Sequence, residues 1–214
     1  DYYRINRMLS NVTMIRSIND GSLFFVPRPT DLAALLAQLA DTVNLISDGP
    51  RVVYSGPEEL TASIDPTLAE NLVLNLISNS LTHAAGCTRI SLRLIEDHER
   101  VVISVNDDGC GIAPEKLHFV FDRYRHGFGI ADIDHGAGLG LTAALAIANL
   151  HGGTLLLESR EEVGTTVRAS FSRNPVPTQP LCAAQEEPER GMRLLLTGLA
   201  DCLSDRCFGE RYAE

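Results

Sequence analysis

The sequence predicts an α/β domain. Stretches of helical period alternate with short runs rich in Val, Ile and Leu, and Gly, Pro and Asp turns separate the two kinds. Two glycine-rich junctions, at 109–111 and 136–140, mark the second half. At 214 residues the chain fits one domain of ordinary size with appendages at either end.

The chain opens in mid-pattern. Ile5, Met8, Val12 and Ile15 line one helix face as in a two-helix or four-helix seam; the same spacing suits a helix folded on its own domain. Gly21 and Pro27-Arg28-Pro29 end that segment, and Thr30 stands where it would cap a helix over 31–46, with Leu32, Leu35, Leu36, Leu39 and Val43 as its apolar residues. Arg51 to Tyr54 and Leu60 to Ile64 read as short strands. Asp65-Pro66 then opens a helix reaching about Ala84, with the carboxylate as N-cap and the proline at the first helical position. Strands near Arg89–Ile95 and Val101–Asn106 follow, joined by the polar turn Glu96-Asp97-His98-Glu99.

Pro114 and Glu115 begin a short helix, and the segment from Asp122 to Ala137 has no clear period, which is usual for a functional loop. Leu139 to Leu150 reads as a helix that starts in the second glycine run and ends at Gly152-Gly153. Thr154–Glu158 and Thr166–Phe171 are closing strands joined through Gly164. From Asn174 to Pro188 the composition turns to Pro, Gln and Glu, a linker. Met192–Leu203 is apolar enough for a short helix, which either docks or trails; docking would cover Leu194, Leu195, Leu196 and Leu199. The expected division is 1–20, 21–173 and 174–214.

With 44% hydrophobic and 21% charged residues the composition is that of a soluble globular chain. A net charge of -10 without clustered Lys or Arg argues against nucleic acid as a partner, so a bound polyphosphate would bring its own cation. The five cysteines, Cys87, Cys110, Cys182, Cys202 and Cys207, are odd in number and lack paired spacing, which fits reduced thiols rather than disulfides or zinc. No apolar run approaches a membrane span and the polar start is no signal peptide. A cytoplasmic setting is expected, with membrane attachment only through upstream sequence.

Asn75 and Asn79 stand at i and i+4, so their amides share a helix face, and a carboxamide oxygen is a hard ligand suited to Mg²⁺. That spacing also fits the wet face of an amphipathic helix. Against it, nearly every neighbour of Asn79 between Leu72 and Leu81 is apolar, where an amide without a partner is costly. Asp107 follows a buried-looking strand and precedes Gly109 and Gly111. A carboxylate there can accept from an exocyclic amino group such as that of adenine, while the glycines admit a close ring; an ordinary turn would show the same letters. The run Gly136 to Gly140 precedes a helix, whose first N–H groups can meet phosphate oxygens. Neither run is followed by the Gly-Lys-Ser or Gly-Lys-Thr of a Walker loop.

In this order the motifs resemble the ATP-binding catalytic domain of bacterial sensor histidine kinases, in the superfamily of gyrase, Hsp90 and MutL. The resemblance covers roughly residues 66–171. Asn75 to Ser80 looks like the asparagine box, Asp107 to Gly111 the first glycine box, Phe119 to Tyr124 the phenylalanine box opening the lid, Gly136 to Leu141 the second glycine box, and Gly164-Thr165-Thr166 the closing turn. It implies a two-layer α/β sandwich of the Bergerat type, a mixed sheet with three helices on one face and ATP between helix and lid.

By the same resemblance the cofactors are ATP and Mg²⁺, with Asn79 as metal ligand and Asn75, Asn79 and Arg123 as catalytic residues. The nucleotide contacts it implies are Asn75, Asn79, His83, Asp107, Gly109, Gly111, Ile112, Arg123, Arg125, Gly136, Gly138, Leu139, Gly140, Leu141 and Thr166. The hydrolytic relatives carry a glutamate four residues before the metal asparagine. Here that position is Asn75, and a carboxamide cannot act as general base, so phosphoryl transfer to a protein is favoured over ATP hydrolysis.

None of the six histidines sits in the context of the family's phosphoacceptor. The acceptor is therefore expected upstream, with residues 1–20 as the end of a second dimerisation helix. The implied partners are a second copy, through that helix and the missing one, and a response-regulator receiver domain. One departure stands out: the residue before His83 is commonly Lys or Arg in the family and here is Thr82, which removes a cationic phosphate contact.

Overall fold

The computed structural model describes residues 2–117, 120, 139–173 and 198–199. Its elements are α1 (Tyr2–Asn19), β1 (Arg28–Asp31), α2 (Leu32–Ile46), β2 (Arg51–Ser55), β3 (Thr61–Ile64), α3 (Pro66–His83), β4 (Arg89–Glu96), β5 (Arg100–Asp107), α4 (Leu139–Leu150), β6 (Leu155–Arg160) and β7 (Gly164–Ser172).

Period-two patterning builds the sheet. Ile90, Leu92 and Leu94 of β4, Val101, Ile103 and Val105 of β5, and Val167, Ala169 and Phe171 of β7 all turn to one buried face. Polar Arg93, Glu158 and Arg168 occupy the other, where Arg168 pairs with Glu158. Five strands follow the order β2-β4-β5-β7-β6, with β2 parallel to β4 and the remaining pairs antiparallel. Helices α2, α3 and α4 cover the apolar face. The fold is thus the two-layer α/β sandwich with a mixed sheet that the resemblance implies.

Asp65 caps α3 as its sequence foretells: its Oδ1 accepts the N–H groups of Thr67 and Leu68 at 3.1 and 3.2 Å, with Pro66 at the first helical position. At α2 the cap differs from expectation. Asp31, not Thr30, holds the N-terminus, accepting from Ala33 and Ala34 at 3.0 and 3.3 Å. Thr30 instead belongs to β1, a strand absent from the sequence reading, which pairs antiparallel with β3 in a separate two-stranded sheet. Strand β7 starts at Gly164 itself.

In helix α1, Ile5 and Val12 of the apolar stripe face outward, exposed by 57 and 48%, as does Leu9 at 58%, whereas Met8 and Ile15 are half-buried; Arg7 and Asn11 are buried, and Met14 and Ile18 pack on the core. The helix lies against α4. From the tail, Leu199 is fully buried in the same core and Gly198 lies against Leu74; the rest of 174–214 lies outside the described residues.

His151 joins the layers behind α4. Its ring stacks on Phe171 at 4.6 Å between centroids and meets Phe25 edge-on at 4.9 Å. Nδ1 lies 2.8 Å from the Ile147 carbonyl and Nε2 accepts the Asp65 N–H at 3.0 Å, an arrangement that suits neutral imidazole. Burial pushes its pKa below the ordinary 6.5. Below that value the unfolded chain binds a proton that the folded chain refuses, so stability falls as pH drops, by at most about 1.4 kcal/mol per pH unit. Urea unfolding across this range, compared with His151→Gln, should show a shallower acid loss in the variant.

Candidate nucleotide site

Strand alternation continues past Val105, so Asp107 at the end of β5 points under the helix layer and is 4% exposed. Its Oδ2 accepts the Ser80 hydroxyl from α3 at 2.9 Å, and its Oδ1 accepts the N–H groups of Gly109 and Thr165, each at 3.2 Å. A carboxylate offers roughly four acceptor sites. Three are taken by these contacts, leaving one on Oδ2.

The neighbouring carboxylate has another task. Asp108 faces solvent and accepts from the Thr88 hydroxyl at 2.6 Å and from the N–H groups of Thr88 and Arg89 at 2.8 and 3.0 Å. These bonds hold its pKa far below the usual carboxylate range and tie the loop after β5 to the start of β4.

The glycines of this loop permit close approach. A Cβ on Gly109 would lie 2.8 Å from Ala84 Cα, so the chain presses directly on the end of α3. There the Cys110 N–H donates to the Ala85 carbonyl at 3.0 Å and its thiol meets the exposed His83 carbonyl at 3.6 Å. Ile112 N–H donates to Ser159 Oγ at 2.8 Å, joining the loop to β6. Burial pushes the Cys87 thiol up to about 11, which keeps it protonated.

One turn of α3 away stand the asparagines. Asn75 is 3% exposed and pairs amide to amide with Asn11 of α1 at 3.2 and 3.4 Å, whereas Asn79 is half-buried. Their Oδ1 atoms lie 3.2 and 3.4 Å from where a Cβ on Gly140 would be, so both carboxamides face the first turn of α4. The structure therefore brings Asn75, Asn79, Leu139 and Gly140 together at the first turn of α4, and Asp107, Gly109, Gly111 and Ile112 together at the end of β5 and the loop after it. His83 and Leu141 sit at the margins, the latter packed on the core.

Thr166 turns to the opposite sheet face and takes the Asn106 amide at 2.7 Å. The residue beside Asp107 is Thr165, whose hydroxyl meets Ser159 Oγ at 2.8 Å. Ser80 enters the sequence reading only as the last residue of the asparagine box, with no part given to its hydroxyl. The spacing of α1's apolar residues carries no sign that Arg7 and Asn11 are buried. Arg123, Arg125, Gly136, Gly138 and the phenylalanine box other than Val120 lie outside the described residues.

Among the described residues no group of three or more His, Cys, Asp and Glu gathers to hold a metal. The donors are amide oxygens. Mg²⁺ commonly keeps several waters and uses one or two protein oxygens beside substrate phosphates, so Asn79 is compatible with it. No described helix is long and apolar enough to cross a membrane.

A mixed sheet with helices on one face, a buried carboxylate at the end of β5 and two carboxamides on α3 make an α/β sandwich of the ATPase type. Residues 64–175, just over half of the chain, match the model of the histidine kinase-, DNA gyrase B- and HSP90-like ATPase family, and the chain belongs to that family. It is 29% identical over 174 residues to the signal transduction histidine-protein kinase AfsQ2 of Streptomyces coelicolor, covering 81% of this chain and 32% of that protein. To the histidine protein kinase DivJ of Caulobacter vibrioides it is 36% identical over 132 residues, 62% of this chain and 22% of that protein. The chain thus spans about a third or less of these relatives. The ATP-binding domain of PrrB from Mycobacterium tuberculosis shares the fold, with a TM-score of 0.54, 24% identity, and coverage of 70% of this chain and 99% of that one. The domain is the histidine kinase ATPase domain of sensor kinases.

Proposed function

We propose that this domain binds Mg-ATP and transfers the γ-phosphoryl group to a histidine on a dimerisation helix outside this chain. The observation that carries the reading is the remaining acceptor site on buried Asp107 Oδ2, beside α3, whose Asn75 and Asn79 carboxamides face the first turn of α4. An acceptor-only group selects the exocyclic amino group of adenine. The first turn of α4 offers N–H groups to phosphates.

Asn79 would hold Mg²⁺, which when bound would offset the charge of the phosphates. Phosphoryl transfer asks for positioning and charge neutralisation more than for covalent help, so a site of amides suffices. Asn75 offers no general base, and its amide is engaged by Asn11, which supports transfer over hydrolysis. Arg123 and Arg125 are proposed lid contacts to the phosphates.

The outward stripe Ile5, Leu9 and Val12 supports a helical partner for α1 in a homodimer, with a response-regulator receiver domain as the downstream acceptor. The setting proposed is cytoplasmic, anchored through upstream sequence. Calorimetric titration with a non-hydrolysable ATP analogue tests the reading. Binding should strengthen with Mg²⁺, and the gain should vanish in Asn79→Ala. Absence of binding under every condition would instead favour a non-catalytic interaction module of the same fold.

A further inference from the structure

Helix α1 carries two opposed faces. Residues two apart on an α-helix point about 200° apart, so when Ile5 faces solvent Arg7 faces the domain. Arg7, Asn11, Met14 and Ile18 follow the spacing of a packed face, yet its first two members are polar, and they are 8% and 5% exposed.

Their surroundings explain the burial. Arg7 Nη2 lies 3.5 Å from the position of a Cβ on Gly140, the same point that Asn75 Oδ1 and Asn79 Oδ1 approach to 3.2 and 3.4 Å. Asn11 Nδ2 donates to Asn75 Oδ1 at 3.2 Å. A guanidinium and two carboxamides thus converge on the first turn of α4.

We propose that Arg7 is a phosphate-contacting residue of the nucleotide site and that Asn11 positions Asn75, making α1 a wall of that site. The proposal rests on the Mg-ATP reading above. A buried guanidinium presents a fork of donors suited to phosphate oxygens, and in a chain of net charge -10 it offsets repulsion of a polyanion. Because the outer stripe and the inner face belong to one rigid helix, a partner that shifts α1 through Ile5, Leu9 and Val12 also shifts Arg7 and changes nucleotide affinity.

The test compares the whole chain with Arg7→Ala, Arg7→Lys and Asn11→Ala. Calorimetry follows the Mg²⁺-loaded ATP analogue, and NMR titration follows adenosine, which has no phosphates. Arg7→Ala should weaken analogue binding about 10-fold to 100-fold, with adenosine binding unchanged. Arg7→Lys should restore part of the loss, since it keeps the charge without the fork. Asn11→Ala should give a smaller loss, again only for the analogue.

Tighter analogue binding in Arg7→Ala would mean that α1 blocks the site, and would overturn the proposal. Equal losses for analogue and adenosine would also overturn it, reducing Arg7 to a structural role, as would no change at all. Failure of wild-type chain to bind either ligand would refute the nucleotide reading itself, and the proposal with it.

Discussion

Gly164→Ala is expected to lower stability by about 3–5 kcal/mol, among the larger effects a single substitution produces. Gly164 opens β7 with φ +127, a region that residues bearing a Cβ rarely enter. An added Cβ would collide with the Asp107 carbonyl oxygen and lie 3.2 Å from Asp108 Cα. Both neighbours are backbone, so no rotamer change relieves the contact. The end of β5 must separate from β7 where Thr165 pairs with Asp107 and its N–H reaches Oδ1.

Gly86 supplies the comparison. It has φ +75 but no atom within 4 Å of an added Cβ, so Gly86→Ala isolates backbone strain at about 1–2 kcal/mol. Urea unfolding of the two variants separates strain from collision. Equal losses would refute the role given to close packing at Gly164, and an intact nucleotide site in Gly164→Ala would refute its link to Asp107.

Elements fixed by neighbours in sequence were legible, and those fixed by partners far along the chain were not. The Asp65-Pro66 start of α3 is local chemistry, with cap, proline and acceptor N–H groups all within four residues. Strand β1 is four residues including Pro29, and it exists because β3 offers a ladder; no periodicity within Arg28–Asp31 announces it. Thr30 and Asp31 are both acceptable caps, and the strand pairing, invisible locally, moved the helix start by one.

The same division runs through the site. That Asn75 and Asn79 share a helix face and that Asp107 continues the buried face of β5 was legible, because sheet and helix periods fix which side chains share a face. Thr165 and Thr166 were confused because a one-residue choice in a strand reverses the face. The apolar stripe of α1 reads either as a seam for another helix or as a face packed on its own domain. Here the face turned inward opens with Arg7 and Asn11, and what it meets is the asparagine pair of α3, which α1's own sequence cannot reveal.

Asp107→Asn is expected to reduce ATP-analogue affinity about 10-fold to 150-fold, as for losing one hydrogen bond to a charged group, while leaving the fold intact. The carboxamide keeps an oxygen for the Gly109 and Thr165 N–H groups, and the Ser80 hydroxyl can rotate to accept from the new amino group. What disappears is the acceptor left over for adenine. Asp107→Ala differs, because it strands two N–H groups and a hydroxyl at a buried site and should also destabilise by about 3 kcal/mol. Ser80→Ala removes a donor and leaves both oxygens in place, so its affinity should stay within about threefold of wild type. The sharper readout is selectivity. Inosine triphosphate carries a carbonyl where ATP carries its amino group, and a carboxylate cannot donate to it, whereas asparagine can. Preference for ATP over the inosine nucleotide should therefore collapse in Asp107→Asn, and a preference that survives would show that Asp107 orders the loop without reading the base.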